Sequence, residues 1–255
     1  MKQILPILRY IIQNNSPFAI PYRLGLAFLY QGYKRCVKTI FSKRLFNGQK
    51  IFLYPNNCIS SAFVYASHPD KQEIAALRQL ADNQSVFLDI GANIGAYSIM
   101  LMDKVKKLYA FEAHPHTANL CKMNFLLNGL SEEQVIAKAV SDNNQSTYFS
   151  NLDDGDPLNT IVQNSSQAIE VPSITLDQFI QEKQFESGTN FLLKIDVEGF
   201  EHHVLQGAAD FLKNQPIKAI LLETFSTEHQ AIQQCLEQLG FKMKMISKHN
   251  MLAYR

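Results

Sequence analysis

The most informative segment of this chain reads Val86-Phe-Leu-Asp-Ile-Gly-Ala-Asn-Ile-Gly-Ala-Tyr-Ser98. Its first residues are apolar or β-branched, as is typical of a buried strand. An acid and two glycines follow, and an amphipathic run begins at the second glycine. Glycine adopts backbone conformations that other residues avoid, and it lets a ligand approach the main chain. The segment therefore predicts a buried strand, a tight turn beside a ligand, and the start of a helix.

The spacing of this turn distinguishes two classes of nucleotide-binding protein. A dinucleotide-binding turn has the pattern G-x-G-x-x-G, and its helix N-terminus receives a pyrophosphate. Here Asn93 stands in the second glycine position, Ala96 follows Gly95, and Asp89 precedes Gly91. An acid at that position repels a pyrophosphate but attracts a cation, such as the sulfonium or ammonium group of S-adenosylmethionine. The chain also lacks the G-x-x-x-x-G-K-[ST] pattern of a P-loop.

The composition is that of an ordinary globular protein. The chain has 255 residues, 46% of them hydrophobic, and its 24 basic and 23 acidic residues give a formal net charge of +1. This balance gives no reason to expect nucleic acid as a partner. The four cysteines are widely spaced and form no C-x-x-C pair, so they predict neither a zinc site nor a redox pair. Such cysteines fit a cytoplasmic protein.

Strands and helices alternate through most of the chain. The predicted strands are 51–54, 62–65, 86–90, 107–112, 135–140, 191–196, 217–224, 241–247 and 251–254. The predicted helices are 69–80, 94–102, 115–127, 176–182, 202–213 and 228–239, and Thr175 is the predicted N-cap of the fourth. Residues 146–174 are predicted to be irregular or to form β-hairpins, with a polar turn at 153–157. This alternation predicts an α/β fold with a mostly parallel, doubly wound sheet. The last two strands are too close in sequence for a parallel crossover and must pair antiparallel, which resembles the Rossmann-like sheet of class I methyltransferases.

The first 48 residues are predicted to form a helical extension, and residues 49–255 are predicted to form one Rossmann-like domain. The extension ends at Asn47-Gly48, a typical turn. Residues 21–46 include six basic residues and no acid, interleaved with apolar ones. A basic amphipathic helix of this kind packs its apolar stripe on the main domain in most proteins. Peripheral contact of 21–46 with an anionic membrane, or with a partner, is the alternative.

Charged residues stand at the ends of several predicted parallel strands, where a doubly wound sheet binds its ligands. Asp89 ends the first of them. Glu112 ends the second at about the 20-residue spacing of an acid that accepts hydrogen bonds from ribose hydroxyls. The fourth ends in Lys194-Ile-Asp-Val-Glu198. Lys194 and Asp196 lie two residues apart and so share one face of the strand, where the lysine can pair with a carboxylate.

Several segments together resemble the FkbM family of S-adenosylmethionine-dependent methyltransferases. They are the turn quoted above, Phe111-Glu-Ala113, Ala139-Val-Ser-Asp142, and above all Leu193-Lys-Ile-Asp-Val-Glu-Gly-Phe-Glu201 followed by Val204-Leu-Gln-Gly207. The resemblance spans residues 50–250. It implies a class I methyltransferase fold and O-methylation of a hydroxyl on a sugar, glycan or related metabolite.

The resemblance also implies roles for single residues. Asp89, Gly91, Asn93 and Gly95 would hold the methionine part of S-adenosylmethionine, Glu112 the ribose, and Ser141 with Asp142 the adenine; Ala92 and Ala113 are further donor-binding positions. The expected catalytic residues are Asp196, Glu198 and Lys194. Asp196 is the first candidate for a general base, although a role in orienting or capping is equally open, and Glu198 and Glu201 are second choices.

Some alternatives stay open. Glu223 ends the fifth strand and is a candidate wall of the acceptor pocket. Asp196, Glu198, His202 and Glu223 can be arranged around a metal ion, but nothing in their spacing demands one, so no metal is predicted. A nicotinamide-dependent oxidoreductase needs a pyrophosphate-binding turn, which the segment from Asp89 to Gly95 does not provide. A non-catalytic module of the same fold, docking through residues 21–46, is the third function considered.

Overall fold

The computed structural model describes residues 4–55, 57–150, 168–223 and 229–255. Its helices are α1 (Ile4–Asn14), α2 (Ile20–Cys36), α3 (Cys58–Tyr65), α4 (Lys71–Leu80), α5 (Ala96–Leu101), α6 (Pro115–Leu127), α7 (Leu176–Lys183), α8 (Glu201–Gln206), α9 (Ala209–Asn214) and α10 (His229–Gln238). Its strands are β1 (Phe41–Arg44), β2 (Lys50–Leu53), β3 (Ser85–Ile90), β4 (Lys107–Phe111), β5 (Val135–Ile136), β6 (Ala139–Val140), β7 (Thr147–Ser150), β8 (Ala168–Val171), β9 (Ser173–Ile174), β10 (Asn190–Ile195), β11 (Ile217–Glu223), β12 (Lys242–Met245) and β13 (Asn250–Tyr254). A short 3₁₀ turn covers Glu132–Gln134.

Seven strands form the central sheet in the order β12-β13-β11-β10-β3-β4-β5. Neighbouring strands run parallel except at β13, which is antiparallel to both β11 and β12. The predicted doubly wound sheet with an antiparallel ending is thus confirmed. Every residue of β3 is buried, because an internal parallel strand is covered on both faces.

Alternate residues of β3 enter two different hydrophobic layers. Leu88 and Ile90 pack in the layer that contains Phe179. Phe87 packs on the opposite face, in the layer that contains Ile99 and Phe125. This is the period of two that a strand imposes on its side chains, and it fixes the start of the turn that follows β3 from both sides of the sheet.

The N-terminal region is helical only in part. α1, α2 and α3 pack together around Ile11, Tyr30 and Tyr65. The prediction of a helical segment up to residue 48 is wrong for Phe41–Arg44, which form β1 and pair antiparallel with β2. The predicted boundary at residue 48 therefore falls in the turn of a hairpin, where Gly48 has φ +84°. Within the described residues, no helix has both the length and the apolar character needed to cross a membrane.

Other elements differ from prediction for identifiable reasons. Residues 62–65, predicted as a strand, lie in α3, which Asn57 caps by accepting a hydrogen bond from the Ser60 backbone. The predicted strand 135–140 divides into β5, in the central sheet, and β6, which pairs with β9. The predicted helix 202–213 is interrupted at Gly207, where a Cβ atom would lie 2.0 Å from the Ser141 carbonyl oxygen. The predicted N-cap of α7 at Thr175 is confirmed, and the turn at 153–157 lies outside the described residues.

Candidate active site

A cleft of about 290 Å³ opens at the carboxyl ends of β3, β4, β10 and β11. The turn after β3 lines it, with Glu112 from the end of β4 and with Asp196 and Glu223 from the ends of β10 and β11. Residues of α3 and α5, and Tyr10 of α1, complete its walls. The cleft occupies the place where a doubly wound sheet binds its ligands.

Three residues of the turn after β3 have left-handed backbone conformations: Gly91 at φ +75°, Asn93 at +50° and Gly95 at +79°. A Cβ atom on Gly91 would lie 1.8 Å from the carbonyl oxygen of Asp196, and one on Gly95 would lie 2.8 Å from Sγ of Cys121. Gly91 therefore allows the tip of β10 to approach the turn, and Gly95 allows α6 to pack beside it. The contact that most restricts Gly91 is with the protein's own main chain.

Asn93 suits the middle of this turn because asparagine tolerates the left-handed conformation better than most residues. Its side-chain oxygen accepts hydrogen bonds from the Ile94 backbone at 2.9 Å and from Nδ2 of Asn57 at 2.8 Å. Its backbone N–H donates to Oε2 of Glu112 at 2.9 Å. The residue that breaks the dinucleotide pattern thus holds the turn in shape and ties it to β4.

Glu112 lies in the cleft and is only 8% exposed. Its second oxygen accepts a hydrogen bond from the His114 backbone at 2.9 Å. Burial raises the pKa of Glu112 above its usual value in spite of its two backbone hydrogen bonds. Each carboxylate oxygen keeps a lone pair, so Glu112 can still accept hydrogen bonds from two ligand hydroxyls. Ala92 and Ala113 line the cleft close by in the sequence.

Asp89 lies behind the cleft and does not line it. Its side chain is fully buried and accepts hydrogen bonds from the backbone and the hydroxyl of Ser98, at 3.1 and 2.8 Å. Its other oxygen lies 3.9 Å from Nζ of Lys194. Burial raises the pKa of Asp89, and the nearby lysine and Ser98 only partly oppose this rise. The geometry therefore gives Asp89 an indirect position, where the sequence suggested direct contact with a ligand cation.

Lys194 pairs with a carboxylate, as its position two residues before Asp196 suggested. Its Nζ lies 3.0 Å from Oδ2 of Asp196 and donates a hydrogen bond to the Gly91 carbonyl oxygen, also at 3.0 Å. Burial disfavours the charge on Lys194, but the attraction of Asp196 and Asp89 outweighs burial and raises the pKa of the lysine. Lys194 is therefore a permanent cation at the edge of the cleft.

Asp196 and Glu223 share a hydrogen bond, and their protonation states differ. Burial, together with the negative charge of Asp196, raises the pKa of Glu223 to about 9. Burial would also raise the pKa of Asp196, but Lys194 and the hydrogen bond from Glu223 outweigh it and lower that pKa. At neutral pH Glu223 is therefore the proton donor, and Asp196 is an ionised acceptor whose side chain is still 36% exposed.

Glu198 also lines the cleft, in a loop with unusual backbone geometry. Its φ is +52°, which is rare for glutamate, and Gly199 follows at +98°. Glu201 holds this loop, because its Oε1 accepts hydrogen bonds from the backbones of Val197 and Gly199, both at 3.2 Å. Glu201 is buried and does not line the cleft, so its geometry suits a structural support and not the second-choice base suggested from the sequence.

Three of the residues named above as a possible metal group come together. Among the described residues, Asp196, Glu198 and Glu223 each offer an oxygen, and these atoms lie within 4.8 Å of one another. His202 is not in this group. The ammonium of Lys194 already supplies a positive charge there, and a metal-free site stays a prediction.

Ser141 and Asp142 do not line the cleft. Asp142 is paired with Nδ1 of His203 at 2.9 Å, and this contact lowers its pKa. The cleft instead receives the residues just before them, Lys138–Val140. The chain leaves the central sheet at this point to form β6, which shifts the residues that face the cleft toward lower numbers.

Three residues that were not predicted from the sequence as site residues also line the cleft: Tyr10, Asp70 and Tyr97. Tyr97 hydrogen-bonds to Asp70, whose pKa is raised to about 6 by burial and by the charge of Glu73. Nζ of Lys194 lies 5.1 Å from the centre of the Tyr97 ring. Only Tyr97 had a signal in the sequence, because it lies just after the glycine turn. The other two reach the cleft through tertiary packing.

Comparison with known proteins finds a matching family and a distant relative. The family described as Methyltransferase FkbM domain matches residues 89–243 of the chain. An uncharacterized protein of Methanocaldococcus jannaschii is 24% identical in an alignment 186 residues long, which covers 66% of this chain and 69% of that protein.

Several solved structures have a distantly related arrangement. An rRNA methylase from Streptococcus thermophilus is 14% identical, with 72% of this chain and 92% of that chain covered and a TM-score of 0.43. A tRNA m1G37 methyltransferase from M. jannaschii is 15% identical, with coverage of 86% and 56% and a TM-score of 0.44. Likenesses this distant do not bear on the substrate.

Proposed function

Since this chain belongs to the FkbM family of methyltransferases, with S-adenosylmethionine as methyl donor, we propose that it methylates a hydroxyl oxygen of a sugar, glycan or related metabolite. When bound, the donor supplies a methyl group attached to a positively charged sulfur. The observation that carries the proposal is the ionised carboxylate of Asp196, which lines the cleft and is 36% exposed. The backbone of Asp196 packs against Gly91 in the turn after β3. Family membership sets aside the nicotinamide-dependent alternative.

In this proposal Asp196 accepts the proton that the acceptor hydroxyl releases as its oxygen is methylated. A hydroxyl is a weak nucleophile, and a base within hydrogen-bond reach raises its reactivity, typically by about 10²–10⁴-fold. The lowered pKa of Asp196 keeps it ionised but makes it a modest base. Its main contribution is then to orient the hydroxyl, and Lys194 and Glu223 keep the carboxylate in place by pairing with it.

Glu198 is the second candidate for the base, because it also lines the cleft. The aromatic ring of Phe149 lines the same cleft. Carboxylates that accept hydrogen bonds from hydroxyls, beside an aromatic face, suit a polyhydroxylated acceptor such as a sugar. This combination supports the acceptor class proposed here.

The donor is proposed to lie between the turn after β3 and the end of β4. Gly91, Ala92 and Asn93 would contact its methionine part, and Glu112 with Ala113 its ribose. The cleft fits this ligand, since Glu112 is a buried carboxylate with free lone pairs and the turn brings its backbone to the surface of the cleft. Asp89 would act through Lys194 and Ser98, and Gly95 through the packing of α6. Ser141 and Asp142 stay predicted adenine neighbours, although their contacts lie elsewhere.

Calorimetry with S-adenosylhomocysteine tests the donor site. Wild type should bind, and Glu112→Gln should bind about tenfold more weakly or worse, because a buried hydrogen-bond acceptor contributes about 1–3 kcal/mol. Glu237→Gln, on the exposed surface of α10, is the matched control and should bind like wild type. Thermal unfolding without ligand shows whether Glu112→Gln has lost its fold. Absence of binding by the wild-type protein would reject the donor site.

Transfer of labelled methyl groups to a panel of sugars and glycans tests the reaction. Asp196→Asn should lower kcat by at least about 10²-fold with little change in donor affinity. A similar loss in Glu198→Gln alone, with Asp196→Asn active, would move the base to Glu198. Binding of S-adenosylhomocysteine without turnover on any acceptor would favour the non-catalytic module.

A further inference from the structure

Charge is divided sharply along this chain. Residues 1–69 contain nine lysines or arginines and no aspartate or glutamate. The remaining residues contain fifteen basic and all 23 acidic residues, so a formal charge of +9 is followed by one of −8. The nearly neutral total therefore conceals a strongly basic N-terminal region attached to an acidic domain.

The same region carries most of the large apolar side chains that are exposed in the described residues. Of the sixteen large apolar side chains that are exposed in the described part of the chain, eleven lie between residues 4 and 46. Phe18 is 97% exposed, Phe28 80% and Leu29 67%. A soluble protein surface rarely gathers this many apolar side chains without a partner.

One face of α2 shows the pattern most clearly. Its buried side contributes Ala27 and Tyr30 to the packing against α3. Its exposed residues are Pro21, Tyr22, Leu24, Gly25, Phe28, Leu29, Gly32, Arg35 and Cys36. Arg35 is the single charged residue among them. The packing on the main domain expected from the sequence is therefore real, but it uses only one side of the helix.

A second groove, of about 570 Å³, runs beside α2. Apolar residues, including Leu29 and Phe63, line it together with Arg23 and Lys43. Burial, with a contribution from the charge of Arg23, lowers the pKa of Lys43 to about 8. Two neighbouring cations beside an apolar groove form an environment that favours an anionic, amphiphilic ligand.

We propose that the N-terminal region, residues 4–46, docks on a bilayer that contains anionic phospholipids. α2 would lie along the surface, with its exposed apolar face among the acyl chains and the surrounding lysines and arginines at the phosphate headgroups. Such a helix binds through buried apolar area and electrostatic attraction together, and each cation near the surface strengthens binding. This proposal is independent of the chemistry proposed above.

The charge of this region argues against a second copy of the chain as the occupant. A second copy of the chain would bring together two N-terminal regions that each contain seven basic residues and no acid between residues 4 and 46, which opposes pairing through this face. In addition, Tyr10 of α1 lines the catalytic cleft, and its buried hydroxyl has no hydrogen-bond partner among the described residues. A membrane-bound α1 and α2 would therefore place the cleft close to acceptors held at the membrane.

Co-sedimentation of the full chain with lipid vesicles tests the proposal. Wild type should pellet with vesicles of equimolar phosphatidylcholine and phosphatidylglycerol, at least about tenfold more strongly than with phosphatidylcholine alone. The double variant Phe28→Ser/Leu29→Ser should bind at least about tenfold more weakly. Arg35→Gln/Lys38→Gln should lose about fivefold per cation, and added salt should weaken the wild type in the same direction.

Leu126→Ser is the matched control, because Leu126 is 56% exposed on α6, outside the N-terminal region. It should sediment like wild type. Circular dichroism and S-adenosylhomocysteine binding confirm that each variant is folded. Failure of the wild type to bind anionic vesicles, or equal binding by Phe28→Ser/Leu29→Ser, would overturn the proposal. A dimer in analytical ultracentrifugation that Phe28→Ser/Leu29→Ser abolishes, without vesicle binding, would instead assign this face to a second copy.

Discussion

Replacing Gly91 by alanine is expected to destabilise the protein far more than replacing Gly129, although the two glycines have nearly the same backbone conformation. Their φ angles are +75° and +76°. A Cβ on Gly129 would meet nothing within 4 Å, whereas one on Gly91 would lie 1.8 Å from the Asp196 carbonyl oxygen. The pair therefore separates the effect of the left-handed conformation from the effect of the close approach.

The size of the destabilisation follows from the backbone atoms that must move. The left-handed conformation alone costs an alanine about 1–2 kcal/mol, which is the whole effect expected for Gly129→Ala. In Gly91→Ala the tip of β10 must also shift by about 1.6 Å, from 1.8 Å to the 3.4 Å at which ordinary contact begins. This shift breaks the hydrogen bond from the Asp196 N–H to Ile90 (3.1 Å) and the one from Lys194 to the Gly91 carbonyl oxygen (3.0 Å). The first hydrogen bond contributes about 0.5–1.5 kcal/mol and the charged one about 1.5–3 kcal/mol. Together with the cost of the left-handed conformation, the total is about 3–6.5 kcal/mol.

Urea unfolding followed by circular dichroism measures both variants against wild type. Gly95→Ala provides an intermediate case at about 2–5 kcal/mol, because its new Cβ meets the Cys121 side chain, which can move more easily than a backbone. The expected order of destabilisation is Gly129, then Gly95, then Gly91. A Gly91→Ala variant no less stable than Gly129→Ala would refute the view that the approach of β10 is what requires a glycine at position 91.

Three further outcomes are expected. Folding raises the pKa of Glu223 from 4.5 to about 9, so the wild type should lose stability as the pH rises between these values. Glu223→Gln should lose less over the same range, because only other buried carboxyls with raised pKa values, such as Asp70, still contribute; parallel melting temperatures of the two proteins across pH would contradict this. Lys194→Met should lower the free energy of unfolding by about 3 kcal/mol or more, because it leaves Asp89 buried without its cation. Adding Asp89→Asn should recover part of this loss in urea unfolding. A double variant less stable than Lys194→Met would argue against the pairing of Lys194 with Asp89. The Asp142 carboxylate is paired with His203 and does not line the cleft, so Asp142→Asn should change S-adenosylhomocysteine affinity by less than about twofold even with the adenine nearby, as expected for a surface change. A large loss in calorimetry would show that the Asp142 side chain itself binds the donor.

The fold was predictable where the pattern was local. The strand, turn and helix from Val86 onward follow from hydrophobic periodicity and glycine placement, and α6 has the predicted bounds. α3 was not predictable in this way, because Ala62-Phe-Val-Tyr65 favours a strand by composition while the Asn57 cap and packing against α2 decide the outcome. β1 was missed because its structure depends on pairing with β2.

The residues of the candidate site were likewise predictable only in part. Glu112 and Asp196 were predictable because the ends of parallel strands meet at one edge of the sheet. The indirect position of Asp89 was not predictable. Nothing in the sequence shows that Lys194 lies beside Asp89, or that Lys194 lines the cleft while Asp89 does not. The sequence also did not show that Ser141 and Asp142 lie outside the cleft lining, because the pairing of β6 with the distant β9 turns the chain away from the central sheet. Their place near the adenine stays a prediction.

Tyr10 belongs to α1 and yet lines the cleft beside the strand ends. If α1 rests on a bilayer, an acceptor in the same bilayer reaches the cleft by lateral diffusion, and its effective concentration is its surface density. Diluting such an acceptor with inert lipid at constant total amount would then slow turnover, whereas a water-soluble acceptor would show no such dependence. The kinetics of this enzyme would in that case be those of a two-dimensional reaction, and its rate would depend on the composition of the membrane.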